Sequence, residues 1–266
     1  MNREEFAALC STRPLLLDGA TGSNLMKRGM PRGVCTELWI DAHPEILLDL
    51  QREGLGDQVS DLNRRLVALS RQAAGGKALV AGDMTTTGVP LEPNGPMEYN
   101  RLHEIYWEQA AALAEGGADL IVIETMLGID ETAVALEAAR EVCDLPVLCS
   151  LTVQSDGSAY FGGNCVDAVE ELQELGASAA GINCSCGPEQ LVSLVRNMKA
   201  VARIPLLVKP NAGMPAISDD GEAVYPMTAT EFAAHMQVLL EAGAHLIGGC
   251  CGTTPEFIAE MKRELL

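Results

Sequence analysis

A pattern that joins a helix to a strand occurs three times in this chain. The three sequences are EGGADLI at 115–121, ELGASAA at 174–180 and EAGAHLI at 241–247. In each case the pattern predicts a helix that ends at glycine, then an alanine, then an apolar strand. Strands that alternate with helices at this spacing predict a parallel sheet covered by helices.

The same repeat favours a closed (β/α)8 TIM-type barrel. Two further strands begin with a proline, at Pro146 and Pro205, instead of the Gly-Ala pair. Two alternating strand types suit a barrel, because alternate strands supply alternate layers of its interior. The 266 residues are a usual length for one α/β barrel, so we predict a single domain over 1–266. An open doubly wound sheet is the alternative on pattern alone.

One strand of the expected eight has no sequence to form it. The helix predicted for 44–53 is followed only by Gly54, Leu55 and Gly56 before another helix begins near Asp57. The pattern therefore predicts about seven strands where a closed barrel has about eight. Either the second strand and its loop are missing from the sequence, or the barrel is open at this point.

The charge and the cysteine content limit the classes of function. The formal net charge is -19, without a cluster of basic residues, which argues against binding to nucleic acid or to anionic membranes. We find no signal peptide and no run near the roughly 20 apolar residues of a membrane span. Nine cysteines in such a chain indicate metal-binding, catalytic or buried thiols and a cytoplasmic location.

Three cysteines stand at the predicted carboxyl ends of two strands. Cys184 ends one apolar run, and Cys250 and Cys251 follow another. The carboxyl ends of parallel strands lie on one face, so we expect the three thiols to converge. Zinc binds thiolates, and a catalytic zinc site keeps one position open beside three protein ligands. We predict such a site; Cys186 as a fourth ligand would instead make it structural, and a set of buried thiols without metal is the other alternative.

Two carboxylates end strands on the same face and suit a cationic group. Asp18 and Glu124 are predicted to hold an ammonium group, while the amides near Gly19 and Ala20 suit a carboxylate. Together they describe an amino-acid site. The structural alternatives are a turn cap for Asp18 and an internal ion pair for Glu124. Asn183 either orients a ligand or bonds the backbone.

Five motifs spread from the first strand to the last carry a family resemblance. They are LDGATG at 17–22, IET at 123–125, GINC at 181–184, KPNAG at 209–213 and GGCCGTTP at 248–255. Together they resemble the homocysteine S-methyltransferase family, which includes the homocysteine-binding module of cobalamin-dependent methionine synthase. The resemblance covers nearly the whole chain, and it implies a (β/α)8 barrel.

The resemblance also implies the chemistry. Zinc would be held by Cys184, Cys250 and Cys251, and the amino group of L-homocysteine would meet Asp18 and Glu124. Its carboxylate would meet the amides near 19–20, and its thiol would be activated by zinc and methylated to give methionine. The catalytic residues are thus expected to be the three zinc cysteines.

The start of the chain indicates which methyl donor to expect. The start of the chain is closer to the cobalamin-linked modules than to relatives that use betaine or S-methylmethionine. We therefore expect methylcobalamin, or another corrinoid, carried by a partner domain or protein. A relative that uses another donor or another thiol, and a homocysteine- and zinc-binding module that needs partner domains for turnover, are the alternatives. The chain departs from the family at 54–56, where the family has a second strand and a loop at the mouth of the site.

Overall fold

The computed structural model describes residues 1–20, 59–217 and 223–266. Within these ranges seven parallel strands form one sheet, in the order β1-β9-β6-β5-β4-β3-β2. Its strands are β1 (Leu15–Leu16), β2 (Ala81–Thr85), β3 (Leu120–Met126), β4 (Val147–Leu151), β5 (Ala179–Cys184), β6 (Leu206–Pro210) and β9 (Leu246–Ile247). Two short antiparallel strands, β7 (Ala216–Ile217) and β8 (Ala223–Val224), form a separate pair.

Helices alternate with these strands along the chain. They are α1 (Arg3–Thr12), α2 (Val59–Ala74), α3 (Tyr99–Glu115), α4 (Ile129–Val142), α5 (Cys165–Glu174), α6 (Val192–Val201), α7 (Ala229–Ala242) and α8 (Pro255–Leu265). A short 3-10 helix, Pro188–Gln190, precedes α6. Glycines end several helices as the repeat predicts; Gly243, for example, has a φ of 122° that favours glycine.

The sheet is curled and has an apolar cluster on each face. The larger cluster lies between the sheet and the helices, and the smaller one lies on the inner face, where α1 packs across it. The inner cluster consists of Phe6, Cys10, Leu120, Val122, Leu148, Ala179, Leu207 and Leu246. The inner face is therefore closed by apolar side chains at the α1 end, which leaves the carboxyl ends of the strands for a site.

The predicted α/β fold with alternating parallel strands and helices is confirmed. Along the described sheet, β1 and β2 are the two edge strands and do not pair with each other. The gap predicted at 54–56 lies outside the described residues, as do the helix predicted for 44–53 and the loop near 31–36. No helix in the described ranges is both long and apolar enough to span a membrane.

One strand boundary was predicted wrongly, and the difference matters for the site. The apolar run at 78–81, followed by polar residues from Asp83 onward, predicts a strand over 78–81 and then a loop, whereas β2 runs from Ala81 to Thr85 and pairs with β3 throughout. Gly82 lies within this strand because the packing needs a glycine there: a Cβ would lie 2.9 Å from the Cβ of Leu113. Asp83 is therefore a strand residue. The β7–β8 pair was not predicted at all.

Candidate active site and metal centre

A layer of polar side chains lies beyond the inner apolar cluster, towards the carboxyl ends of the strands. Side chains alternate along a strand, so a residue two positions after an inward apolar one also faces inward. Five adjacent strands, β2 to β6, contribute one polar side chain each: Asp83, Glu124, Ser150, Asn183 and Lys209. The curled sheet thereby brings residues that are far apart in sequence together at its carboxyl end.

The three cysteines predicted as zinc ligands converge at this end of the sheet. The Sγ atoms of Cys184, Cys250 and Cys251 lie within 4.8 Å of one another, and those of Cys184 and Cys251 are 3.9 Å apart. The chain turns sharply after β5, where Cys184 and Ser185 have φ values of 55° and 63°. Positive φ costs energy in residues other than glycine and occurs often at functional sites.

The donor set fits a zinc ion with three protein ligands. Tetrahedral sulfur ligands about 2.3 Å from one zinc lie about 3.8 Å from each other, close to the distances between these thiols. Cys186 is buried in the outer core between sheet and helices and is not part of this trio. Among the described residues, the geometry therefore matches a set of three thiols and does not include Cys186 as a fourth ligand.

Hydrogen bonds among the three thiols shift the pKa values of Cys250 and Cys251 in opposite directions. Bonds from Cys184 and Cys250, in that order, lower the pKa of Cys251 to about 3, and Tyr225 adds a further bond. The pKa of Cys250 is raised, because its thiol bonds to Cys184 and Cys251 and because it is buried. The hydrogen bonds thus favour the thiolate at Cys251 over the thiolate at Cys250, and metal ions bind cysteine as the thiolate.

The two carboxylates predicted to bind an ammonium group share an internal partner. The Nζ atom of Lys209 lies 3.0 Å from Oδ1 of Asp18 and 2.7 Å from Oε2 of Glu124. The Lys209 side chain is only 7% exposed, while that of Asp18 is 74% exposed. In this structure Glu124 therefore forms the internal ion pair that was the structural alternative. The exposed oxygen atoms of Asp18 remain accessible.

Asn183 is fully buried and uses its side-chain amide within the protein. Its Oδ1 accepts from the backbone N–H of Thr125 and from Oγ of Ser150, both at 2.8 Å. Its Nδ2 donates to Oγ1 of Thr125 at 2.7 Å and lies 3.8 Å from Sγ of Cys250. The geometry favours the alternative in which Asn183 bonds the protein: it positions Thr125 and Cys250.

The turn that follows β1 is tied to the turn that carries the cysteines. The amide of Ala20, expected to bind a substrate carboxylate, donates to Oγ1 of Thr253 at 3.0 Å. Thr253 in turn donates to the carbonyl of Cys250 at 2.7 Å. Gly19 is required beside this contact, since a Cβ there would lie 2.9 Å from the same Oγ1. Residues 21–23, the rest of the predicted turn, lie outside the described residues.

Sequence reasoning missed three residues of this site. Lys209 was seen only as part of the KPNAG motif, and Asp83 was assigned to a loop. Tyr225 was not singled out; its ring packs on Gly252, where a Cβ would lie 2.2 Å from the ring carbon Cγ. Strand alternation is a signal that would have found Lys209, because it lies two positions after the inward Leu207.

The chain is similar in sequence to two mycobacterial methionine synthases. Methionine synthase of Mycobacterium tuberculosis is 29% identical over 293 aligned positions, which cover 94% of this chain and 24% of that protein. Methionine synthase of Mycobacterium leprae is 28% identical with the same coverage. The chain thus spans about a quarter of the length of the curated relatives it matches.

The solved structures include close matches in fold. The apo form of the homocysteine methyltransferase MmuM from Escherichia coli has a TM-score of 0.75 and 26% identity, covering 99% of this chain and all of that one. Its metallated form has a TM-score of 0.73 at 23% identity, covering 96% and 98%. The profile of the family described as homocysteine S-methyltransferase matches residues 49–265. The chain therefore belongs to the homocysteine S-methyltransferase family.

Proposed function

We propose that this chain transfers a methyl group to the thiol of L-homocysteine, forming methionine, at a zinc site held by Cys184, Cys250 and Cys251. The observation that carries this proposal is the convergence of three thiols within 4.8 Å beside strand-end carboxylates, in a chain of this family. Zinc bound there would keep an acceptor thiol deprotonated at neutral pH. The catalytic role of the three cysteines would be to hold that metal.

The other residues of the site would orient the acceptor. Asp18 and Glu124 would meet its ammonium group through the oxygen atoms that Lys209 leaves accessible, and backbone groups near Gly19 would meet its carboxylate. In the transfer, the acceptor loses its thiol proton and its sulfur forms a bond to the methyl carbon. The bond from that carbon to the donor breaks, and its electron pair stays with the donor.

Asn183 has a different role in this proposal from the one expected for a substrate ligand. Its amide would hold the thiol of Cys250 and the backbone after Glu124 in place, so that it acts as a positioning residue.

The described ranges contribute to one sheet, which supports 1–266 as a single homocysteine-binding domain.

The methyl donor is proposed from the relatives. Methionine synthases match this chain over a quarter of their length, so we expect a methylcorrinoid on a partner domain or protein to supply the methyl group. The same short coverage favours a second candidate: a module that binds homocysteine and zinc but does not turn over alone. Free methylcobalamin, S-methylmethionine and betaine separate the two, because turnover by the isolated chain with any of them excludes the second.

Zinc content and sulfur coordination test the site. Wild-type protein and a Cys186→Ala control should each bind about one zinc with three protein sulfurs, and the metal should gain a sulfur ligand when L-homocysteine is added. Cys251→Ala should lose the zinc and the response to the thiol. Four protein sulfurs, or loss of zinc in Cys186→Ala as well, would contradict the proposed ligand set.

A further inference from the structure

The ammonium subsite of the proposed acceptor site already contains a cation. Lys209 places its Nζ between Asp18 and Glu124, with hydrogen bonds of 3.0 and 2.7 Å. These are the distances of charge-assisted bonds between an ammonium group and carboxylates. The lysine therefore makes, from within the chain, the contacts that the amino group of an amino acid would make.

Lys209 is fixed in this position by its surroundings. It lies on β6, paired with Asn183 of β5, and its side chain is 7% exposed. On the other side Gly248 makes room for it, since a Cβ on that glycine would lie 3.1 Å from Cγ of Lys209. A buried ammonium group needs counter-charges nearby, so leaving both carboxylates would carry a large energetic cost.

In the described residues, the carboxyl groups that act on Lys209 are those of Glu124, Asp18 and Asp83. Burial and then Glu124 raise the pKa of Asp83 well above its usual value, which favours the uncharged form of this third carboxyl group. Oδ1 of Asp83 is buried and has no hydrogen-bond partner in the described ranges. Asp18 and Glu124 then carry two negative charges against the one positive charge of Lys209. The subsite therefore attracts a further cation less strongly than two unpaired carboxylates would.

We propose that Lys209 is a specificity-determining residue that makes the amino group of the acceptor largely dispensable. It supplies the cation that Asp18 and Glu124 would otherwise take from the substrate. The acceptor class is then thiols that carry a carboxylate at the far end, with or without an α-amino group. This inference rests on the proposed function, because it concerns the same acceptor site.

Two thiols that differ only in the amino group test the inference. L-homocysteine and 4-sulfanylbutanoate are titrated into the zinc-loaded wild-type chain, Lys209→Met and Lys209→Arg, and their dissociation constants are compared by calorimetry. In wild type the two should differ by less than about tenfold, a factor that corresponds to about 1.4 kcal/mol. In Lys209→Met the preference for homocysteine should rise by about tenfold or more, because both carboxylates lose their partner. Lys209→Arg keeps the charge and should stay near wild type.

Each other outcome has a defined meaning. An unchanged or smaller preference in Lys209→Met would overturn the inference, and so would a preference above about tenfold in wild type. The wild-type comparison remains decisive if Lys209→Met fails to fold. If the wild-type chain binds zinc but neither thiol, both the proposed acceptor site and this inference are refuted. If both thiols bind but the preference for L-homocysteine over 4-sulfanylbutanoate differs from the values expected above, only the inference fails.

Discussion

Asn183 connects the fold to the thiols, and its replacement by alanine tests this connection. Its amide makes three hydrogen bonds of 2.7–2.8 Å with Thr125 and Ser150, and its side chain is fully buried. Asn183→Ala removes the hydrogen bonds with Thr125 and Ser150 and leaves a small void. At about 1 kcal/mol for each lost bond, the free energy of unfolding should fall by about 3 kcal/mol. For a domain of this size the melting temperature should fall by about 6–12 °C.

The substitution should also weaken metal binding, although it changes no metal ligand. Thr125 has a φ of 60°, a conformation that the two bonds from Asn183 help to maintain, and Nδ2 of Asn183 lies 3.8 Å from the thiol of Cys250. Loss of groups that hold metal ligands in place typically lowers metal affinity about 10- to 100-fold. Zinc affinity of the folded variant, measured by competition with a chelator, should fall within that range.

A surface asparagine provides the matched control for this experiment. Asn100 is exposed on α3, and Asn100→Ala should change the free energy of unfolding by less than about 0.5 kcal/mol. Denaturant unfolding of wild type and both variants measures the difference. A loss below about 1 kcal/mol in Asn183→Ala, with unchanged zinc affinity, would refute the reasoning that this amide network holds the site together.

Two further substitutions test the interior of the sheet. Because the pKa of Asp83 is raised from 3.8, the folded chain keeps a proton that the unfolded chain releases, so this group's contribution to stability falls as the pH rises above about 4. Asp83→Asn removes that loss. The free energy of unfolding of the variant, measured with denaturant, should therefore increase relative to that of wild type between about pH 4 and pH 7. A difference between the two proteins that does not depend on pH would contradict this. Gly181→Ala would place a Cβ 1.9 Å from the carbonyl oxygen of Leu207 on the next strand. It should cost about 3 kcal/mol or more in denaturant unfolding, and a loss below about 1 kcal/mol would show that the two strands can separate easily.

The sequence predicts the convergence of the thiols because two local patterns and one topological rule are enough. Cys184 and Cys250 each follow an apolar run, and parallel strands present their carboxyl ends on one face. The helix before each strand ends at glycine, so the elements could be placed with small errors at their ends. Boundaries failed where a residue served packing instead of a turn, as Gly82 does beside Leu113.

The partner of the strand-end carboxylates could not be predicted in the same way. Asp18 and Lys209 are 191 positions apart, and no local pattern relates them. Residue types show that Asp18 and Glu124 favour a cation, but they do not show whether the cation belongs to the substrate or to the chain. That choice depends on which side chain the curled sheet brings opposite them, and β6 brings a lysine.

The same distinction decides how the site selects its acceptor. An ammonium group from a ligand adds binding energy only to the extent that the carboxylates lack a partner before it arrives. Lys209 provides that partner in advance, whereas the thiols of Cys184, Cys250 and Cys251 are grouped as ligands for a metal ion. In the proposed acceptor site, recognition would therefore shift from the amino group of the acceptor towards its sulfur. Lys209→Met places an apolar side chain at this position, and under this proposal its binding of the acceptor should depend more strongly on the amino group.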